Sequence, residues 1–226
     1  MKKVLVVAAT PFEIQPFIEF LKQSTAQKNN PLFGQNGYEI DVLITGVGIA
    51  NTAYQVGKML VQNTYHLALN VGVAGSFSRK ILRGDVLEVV SEQYGDLGVE
   101  EADGSFTDMF SMGLIDGTKK PFYQDKLLNN NPLNIPTIKK VKGLTVQKVH
   151  GTMSSIESIL KKYPVDIESM EGAAFFQVCI TEGVSFAQIR AISNYVEPRN
   201  KDNWMIKEAI ENLNKTLINV FEKRLV

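Results

Sequence analysis

The chain has 226 residues, of which 44% are hydrophobic and 21% are charged, so it is long enough to bury a sizeable core. Lysine plus arginine equals aspartate plus glutamate at 24 each, and no basic run interleaved with aromatic residues occurs, which argues against a nucleic-acid partner. The single cysteine excludes a disulfide framework and a cysteine metal site, and no apolar stretch is long enough for a membrane span. We therefore expect one cytoplasmic domain, residues 1–226, that binds a small molecule and neither nucleic acid nor membrane.

The first helix carries a candidate site residue. A strand is predicted at residues 4–9, and Pro11 then opens a helix whose apolar residues recur at helical spacing. Glu13 falls in the first turn of this helix, at the carboxyl end of the strand. It either caps backbone N–H groups or faces a cleft.

Two turns rich in small residues are predicted next. After a polar loop at residues 24–37 and a strand at residues 38–45, Gly46-Val47-Gly48 leads into a helix. The full dinucleotide fingerprint is absent, so a tight strand-to-helix turn is favoured over an anion-binding loop. A third strand at residues 66–71 leads into a turn at residues 72–76, where small side chains would let a ligand approach the backbone.

The second half continues the alternation of strands and helices. We predict a strand at residues 86–94, a polar lid or subunit-contact loop at 95–110, a helix-and-loop excursion at 113–136, a strand at 141–149, a helix at 156–160 and an amphipathic helix at 202–225. This alternation predicts an α/β fold, a three-layer αβα sandwich around a central mixed β-sheet.

Residues 167–199 hold the strongest candidates for chemistry. Glu171 precedes a helix that is apolar on nearly every side and that Gly183 ends, so its carboxylate either complements the helix dipole or grips ligand hydroxyls. A strand at residues 185–192 then delivers Asn194 at its carboxyl end, where open α/β sheets bind ligands.

Several motifs resemble one enzyme superfamily in their order and spacing. ATPFE, GVGIAN, NVGVAGSF followed by GDV, ESMEGAAF and RAISN are similar to the nucleoside phosphorylase and nucleosidase superfamily over almost the whole chain. Within it, YGDLGVE, SMEGAA and ISNYVEPRN, with Trp204 close behind, look most like futalosine hydrolases, the menaquinone-pathway relatives of the methylthioadenosine/S-adenosylhomocysteine nucleosidases. The resemblance implies hydrolysis of a purine nucleoside without a cofactor or metal, by a chain that forms a homodimer.

The same resemblance assigns roles to individual residues. It implies that Glu13 binds the attacking water, that Glu171 hydrogen-bonds the ribose hydroxyls and that Met170 packs under the ribose. These two glutamates suit N-glycosidic cleavage, because the sugar becomes oxocarbenium-like in the transition state. No phosphorylase-type arginine loop follows the first strand, and a glutamate there would repel phosphate, so hydrolysis is favoured over phosphorolysis.

The remaining site residues belong to the base and to the far end of the substrate. The turn at Ala74 and Gly75 resembles the ligand-binding turn of the family, and a backbone contact to the base falls near Ser155. The stacking ring of the methylthioadenosine enzymes is missing from the segment MSS, so either another aromatic residue such as Phe106 or Tyr195 covers the base or the pocket has a different shape. Arg199 is a candidate for the carboxylated arm of futalosine, or else a solvated surface arginine.

Asn194 departs from the methylthioadenosine enzymes, which carry an aspartate at this position. A carboxamide cannot release a proton, but it can donate to a purine O6 and accept from a protonated N7. This pairing favours hypoxanthine, with the N7 proton coming from water or, alternatively, from Glu197. Because a rotated amide could face adenine, aminodeoxyfutalosine and methylthioadenosine stay open as substrates, and so does a non-catalytic nucleoside-binding domain.

Overall fold

The chain forms a mixed β-sheet with helices on both faces, in a computed structural model that describes residues 2–25, 37–133, 135 and 137–225. The strands are β1 (Lys2–Ala8), β2 (Tyr38–Ile44), β3 (Leu67–Ser76), β4 (Val86–Tyr94), β5 (Gly98–Glu100), β6 (Phe106–Asp108), β7 (Leu127–Leu128), β8 (Lys139–Thr145), β9 (Ile167–Ser169) and β10 (Phe186–Tyr195). The helices are α1 (Pro11–Thr25), α2 (Ile49–Gln62), α3 (Met153–Lys162), α4 (Gly172–Glu182) and α5 (Ile206–Glu222), with a 3-10 turn at Lys201–Asn203. The predicted αβα architecture is confirmed.

Strand β1 shows why the sheet is covered on both sides. Val4 and Val6 belong to the core that Phe17 of α1 shares with α5, whereas Leu5 and Val7 belong to the core under α2 and α4. All four β1 side chains are fully buried. A strand that is buried on both faces is a continuous apolar run instead of an alternating one, which matches the sequence of β1.

Part of the sheet closes on itself. β10 runs parallel to β3 and antiparallel to β4, β4 runs parallel to β8, and β8 runs parallel to β9. The short strand β9 then pairs antiparallel with the end of β3, so the five strands form a ring. The ring brings the carboxyl ends of β3 and β10 against β9, immediately before α4, and this is where the candidate site lies.

Three local predictions are corrected by the structure. Residues 72–76 are not a turn but the end of β3, because they continue the parallel ladder with β10 as far as Ser76. The excursion at residues 113–136 has turns and β7 in its described part and no helix, in keeping with the glycines and prolines that interrupt it. The strand predicted at residues 141–149 spans Lys139–Thr145.

Two long loops were predicted, and the structure describes the second of them in full. Most of the loop predicted at residues 24–37 lies outside the described residues, and residues 95–110 contain the β5–β6 hairpin, whose role as a lid or subunit contact stays a prediction.

In the described part of the chain, no helix is both long and apolar enough to cross a bilayer. Cys179 is buried in α4, where burial raises the pKa of its thiol.

Candidate active site

A cavity of about 390 Å3 opens where β1, β3 and β10 end and α4 begins. Seven of the nine predicted site residues line it: Glu13, Ala74, Gly75, Met170, Glu171, Asn194 and Arg199. They come from five separate segments of the chain. The structure therefore brings the two predicted glutamates and the predicted amide to one cavity.

Glu13 both caps its helix and faces the cavity, so the two interpretations of this residue are compatible. Its Oε2 accepts hydrogen bonds from the backbone N–H and the hydroxyl of Thr10, each at 3.0 Å, as the third helical residue does in a capping box. Its Oε1 accepts from the N–H of Val73 at 3.1 Å. With both oxygens held, the carboxylate has one fixed orientation at the cavity wall.

Gly72 makes room for this carboxylate. A Cβ atom at this position would lie 2.7 Å from Glu13 Oε1, well inside the van der Waals distance. The same Cβ would lie 3.5 Å from Nη1 of Arg190, so the guanidinium is close to the carboxylate. Arg190 is 1% exposed, and its Nη2 donates to the side chain of Asn70. A buried cation therefore lies next to the acidic site.

Glu171 is the N-cap residue of α4 and is nearly buried. Its Oε1 accepts from the N–H of Gly48 at 3.0 Å. Burial raises the pKa of the Glu171 carboxyl, because the charged form loses hydration, and the nearby Glu13 carboxylate adds to this rise. Arg190 and the Gly48 N–H act in the opposite direction. The turn at Gly46-Val47-Gly48 thus does meet an anion, and that anion is a side chain of the protein.

Asn194 lies at an irregularity in the strand ladder. The register between β10 and β3 shifts after Ile192, so Asn194 pairs opposite Gly75. Its Oδ1 accepts from Ser193 Oγ at 2.8 Å and its Nδ2 donates to the carbonyl of Tyr195 at 2.9 Å. An amide has two hydrogens and two lone pairs. One donor and one acceptor position therefore remain for a ligand.

Phe106 and Ser155 do not line the cavity. Phe106 lies in β6, where its ring packs under the ammonium group of Lys162 at 4.5 Å. Ser155 lies in the first turn of α3, where its hydroxyl donates to the carbonyl of Thr152 at 3.0 Å. The chain reaches the cavity a few residues earlier, at Val149. The binding roles of Phe106 and Ser155 stay predictions.

The structure adds residues that sequence reasoning did not place in the site. Phe12 and Trp204 line the cavity, and the guanidinium of Arg199 stacks over the Trp204 ring at 4.9 Å from its centroid. Glu168 and Val149 line it as well. Two of these residues could have been proposed from the sequence: Phe12 because it directly precedes Glu13, and Trp204 because it is the only tryptophan in the sequence.

A further carboxylate lies behind the start of α4. Glu92 is fully buried, and accepts from Gln188 Nε2 at 2.7 Å and from Thr145 Oγ1 at 2.9 Å. The Thr145 hydroxyl in turn accepts from the N–H of Ala173 at 2.7 Å, in the first turn of α4. Gly172 leaves space for this network, because a Cβ there would lie 2.0 Å from Glu92 Oε1. The network fixes the end of the helix that carries Glu171.

Comparison with known proteins identifies the family. The model of the phosphorylase superfamily matches residues 3–223. The chain belongs to the phosphorylase superfamily. Futalosine hydrolase of Thermus thermophilus is 30% identical over 183 residues, which are 80% of either chain. A 5′-methylthioadenosine/S-adenosylhomocysteine nucleosidase of Maridesulfovibrio salexigens is 29% identical over 209 residues, or 86% of either chain.

Solved structures show the same fold in this superfamily. The nucleosidase of that name from Helicobacter pylori, with butyl-thio-DADMe-Immucillin-A, has a TM-score of 0.79 at 18% identity and covers 99% of both chains. The predicted superfamily and the predicted enzyme class are confirmed, and the protein is an N-glycosidase.

Substitution of Gly72 tests the fixed orientation of Glu13. In Gly72→Ala, the added Cβ displaces the Glu13 carboxylate, the flexible end of a side chain, so we expect kcat for nucleoside hydrolysis to fall about tenfold or more with little change in stability. Gly57→Ala is the matched control. Its Cβ would lie 3.9 Å from Val178 in an ordinary contact, and it should keep full activity while gaining about 0.5–1 kcal/mol from helix propensity. Equal kcat in the two variants would contradict this role of Gly72.

Substitution of Glu92 tests the buried network through pH. Burial raises the pKa of the Glu92 carboxyl from its ordinary 4.5 to about 7, so between these values the folded chain keeps a proton that the unfolded chain releases. The free energy of unfolding therefore falls as pH rises through this window. The side chain in Glu92→Gln cannot ionise. Between pH 4.5 and 8, the free energy of unfolding of this variant should therefore fall by about 3 kcal/mol less than that of the wild type. Urea denaturation at both ends of the range measures it, and parallel curves for the two proteins would rule it out.

Proposed function

We propose that this N-glycosidase hydrolyses futalosine and releases hypoxanthine. The proposal rests on one observation: Glu13, Glu171 and the amide of Asn194 line the same cavity. We place the purine base against this amide. The Thermus thermophilus relative named futalosine hydrolase supports the choice of substrate, and the alternative substrates are outcomes of the test below.

The two glutamates have different tasks in this proposal. Glu171 accepts hydrogen bonds from the ribose hydroxyls, and these bonds strengthen as positive charge develops on the sugar. Glu13 orients a water molecule toward C1′ and takes its proton as the C1′–N9 bond breaks. The tight hold on Glu13 by Thr10 and Val73 supports this task, because a base that is fixed in place needs no reorganisation.

The charge of the cavity favours water over phosphate as the second substrate. Three carboxylates, those of Glu13, Glu168 and Glu171, line it. The nearby Arg190 is buried and bonds to Asn70 and to its own strand, while Arg199 is at the rim over Trp204. A phosphate ion beside Glu13 would meet the negative charge of that carboxylate, and both arginines are already engaged by the protein, so we propose hydrolysis for this member of the phosphorylase superfamily.

A substrate panel tests the reaction and the substrate together. In phosphate-free buffer, we expect hypoxanthine from futalosine and a much slower release of adenine from aminodeoxyfutalosine and methylthioadenosine, as measured by chromatography. Glu13→Gln should lower kcat by about 10²–10⁴-fold while the Kd for futalosine, measured by calorimetry, stays near the wild-type value. Adenine as the main product would overturn the substrate, a requirement for phosphate would overturn hydrolysis, and unchanged turnover in Glu13→Gln would overturn the role of this residue.

Asn194→Asp tests how the base is recognised. An ionised Asp carboxylate repels the O6 of hypoxanthine but accepts from the 6-amino group of adenine, and the protonated Asp carboxyl can give its proton to N7. We expect the ratio of kcat/KM for methylthioadenosine to that for futalosine to rise by about tenfold or more, since one hydrogen bond is lost and another gained. If kcat/KM changes by the same factor for both substrates, Asn194 does not distinguish the two bases.

A further inference from the structure

A second, smaller cavity of about 60 Å3 adjoins the amide end of the site. It shares six lining residues with the larger cavity: Gly75, Val149, Glu168, Asn194, Arg199 and Trp204. His150 lines the smaller cavity and no other histidine lines either one. An imidazole therefore lies beside the residue that we place against the base.

His150 is held by the carboxylate of Glu168 through two contacts. Glu168 Oε1 accepts from the backbone N–H of His150 at 3.0 Å, and Glu168 Oε2 pairs with ring Nδ1. The two side chains are 11% and 3% exposed. The other ring nitrogen, Nε2, has no hydrogen-bond partner within the described residues. A carboxylate on one ring nitrogen fixes the orientation of the imidazole, which leaves the opposite nitrogen to exchange a proton with a ligand.

The fold places this pair at the base end. Glu168 lies in β9 directly opposite Gly75 of β3, and Gly75 lies opposite Asn194 of β10. The loop after His150 is tied to the same region, because the N–H of Arg199 donates to the carbonyl of Gly151 at 3.1 Å. The pair and the amide are thus parts of one wall.

The proposed reaction needs a proton at this wall. A purine leaves as a neutral base only if N7 is protonated when the bond to the sugar breaks, and the amide of Asn194 has no proton to release. Glu197 also lines the smaller cavity. A hydrogen bond from Asn203 and the pairing with Arg79 lower the pKa of its carboxyl, so it is held ionised and is a poor acid.

We propose that His150 is the general acid for the departing purine, with Glu168 as its positioning residue; this inference rests on the proposed hydrolysis. As C1′–N9 breaks, its electron pair stays on the purine and the Nε2 proton of the imidazolium passes to N7, which leaves a neutral base and a neutral imidazole. Water supplies hydroxide to C1′ and its second proton goes to Glu13. Glu13 then loses that proton to solvent and His150 regains one, so that water and nucleoside become sugar and base with no net change in the protein.

The charged groups around the His150 imidazole each have an identified partner. Glu168 contacts it, Glu197 is neutralised by Arg79, and Arg199 is stacked on Trp204. The remaining titratable group in the smaller cavity is Tyr195, whose ring lies under Arg79 at 4.1 Å. Glu168 is therefore the carboxylate that positions the ring.

The decisive experiment compares two leaving groups in His150→Asn. The Asn amide keeps a donor near the position of Nδ1 for Glu168 but has no titrating proton. We expect kcat/KM for futalosine to fall by about 10²–10⁴-fold, while hydrolysis of p-nitrophenyl β-D-ribofuranoside, whose phenolate leaves without a proton, is unchanged. The matched control is His66→Asn, at the other histidine of the chain, which is exposed before β3 and should leave both rates unchanged.

Several outcomes would overturn the proposal. Equal losses on both substrates would make His150 a structural residue, and no loss on futalosine would remove it from the reaction. The pH profile gives a second, independent measurement: futalosine hydrolysis by the wild type should decline as pH rises, and this alkaline decline should be absent from His150→Asn. A decline that persists in His150→Asn assigns the acid to another group. A wild type that cleaves another purine nucleoside in place of futalosine refutes the proposed substrate alone, and His150 is then tested with that nucleoside.

Discussion

The buried guanidinium of Arg190 is the interaction on which the acidic site depends. It lies close to Glu13, and its charge opposes the rise that burial causes in the pKa of Glu92 and of Glu171. A sugar that develops positive charge needs ionised carboxylates nearby, and a cation beside them opposes the loss of their charge. Asn70 on β3 holds the guanidinium in place, which couples the electrostatics of the site to the core of the sheet. A cation left without these carboxylates would be costly to bury, and the carboxylates without the cation would repel one another.

Backbone N–H groups then fix each carboxylate at the cavity wall. Val73 donates to Glu13 from the end of β3, and Gly48 donates to Glu171 from the turn before α2. These donors are placed by the closure of the sheet, which brings together segments that are far apart in sequence. Closure also sets Glu168 of β9 opposite Gly75, so the same strand pairings build the two ends of the cavity that we propose for the ribose and for the base.

Much of this site was predictable from the sequence, because the carboxyl ends of neighbouring parallel strands meet at one edge. That rule correctly brought Glu13 and Asn194 together, and the apolar helix after Glu171 identified a carboxylate with an unusual environment. The rest depends on long-range pairing that no local pattern encodes. Strand β9 has three residues, too few for a periodic signal, so the contact of Glu168 with His150 stayed hidden. The small residues at 72–76 suggested a turn because glycine and serine are common in turns, whereas the ladder with β10 keeps them extended.

In the proposed mechanism, the glutamates hold the sugar and Asn194 faces the base. A crystal structure of Glu13→Gln with uncleaved futalosine tests it most directly. We expect the ribose hydroxyls within hydrogen-bond distance of Glu171, a water molecule between residue 13 and C1′, and the six-membered ring of the purine facing Asn194. A nucleoside bound in the opposite direction, with its base against Glu171, or bound outside this cavity, would contradict the account.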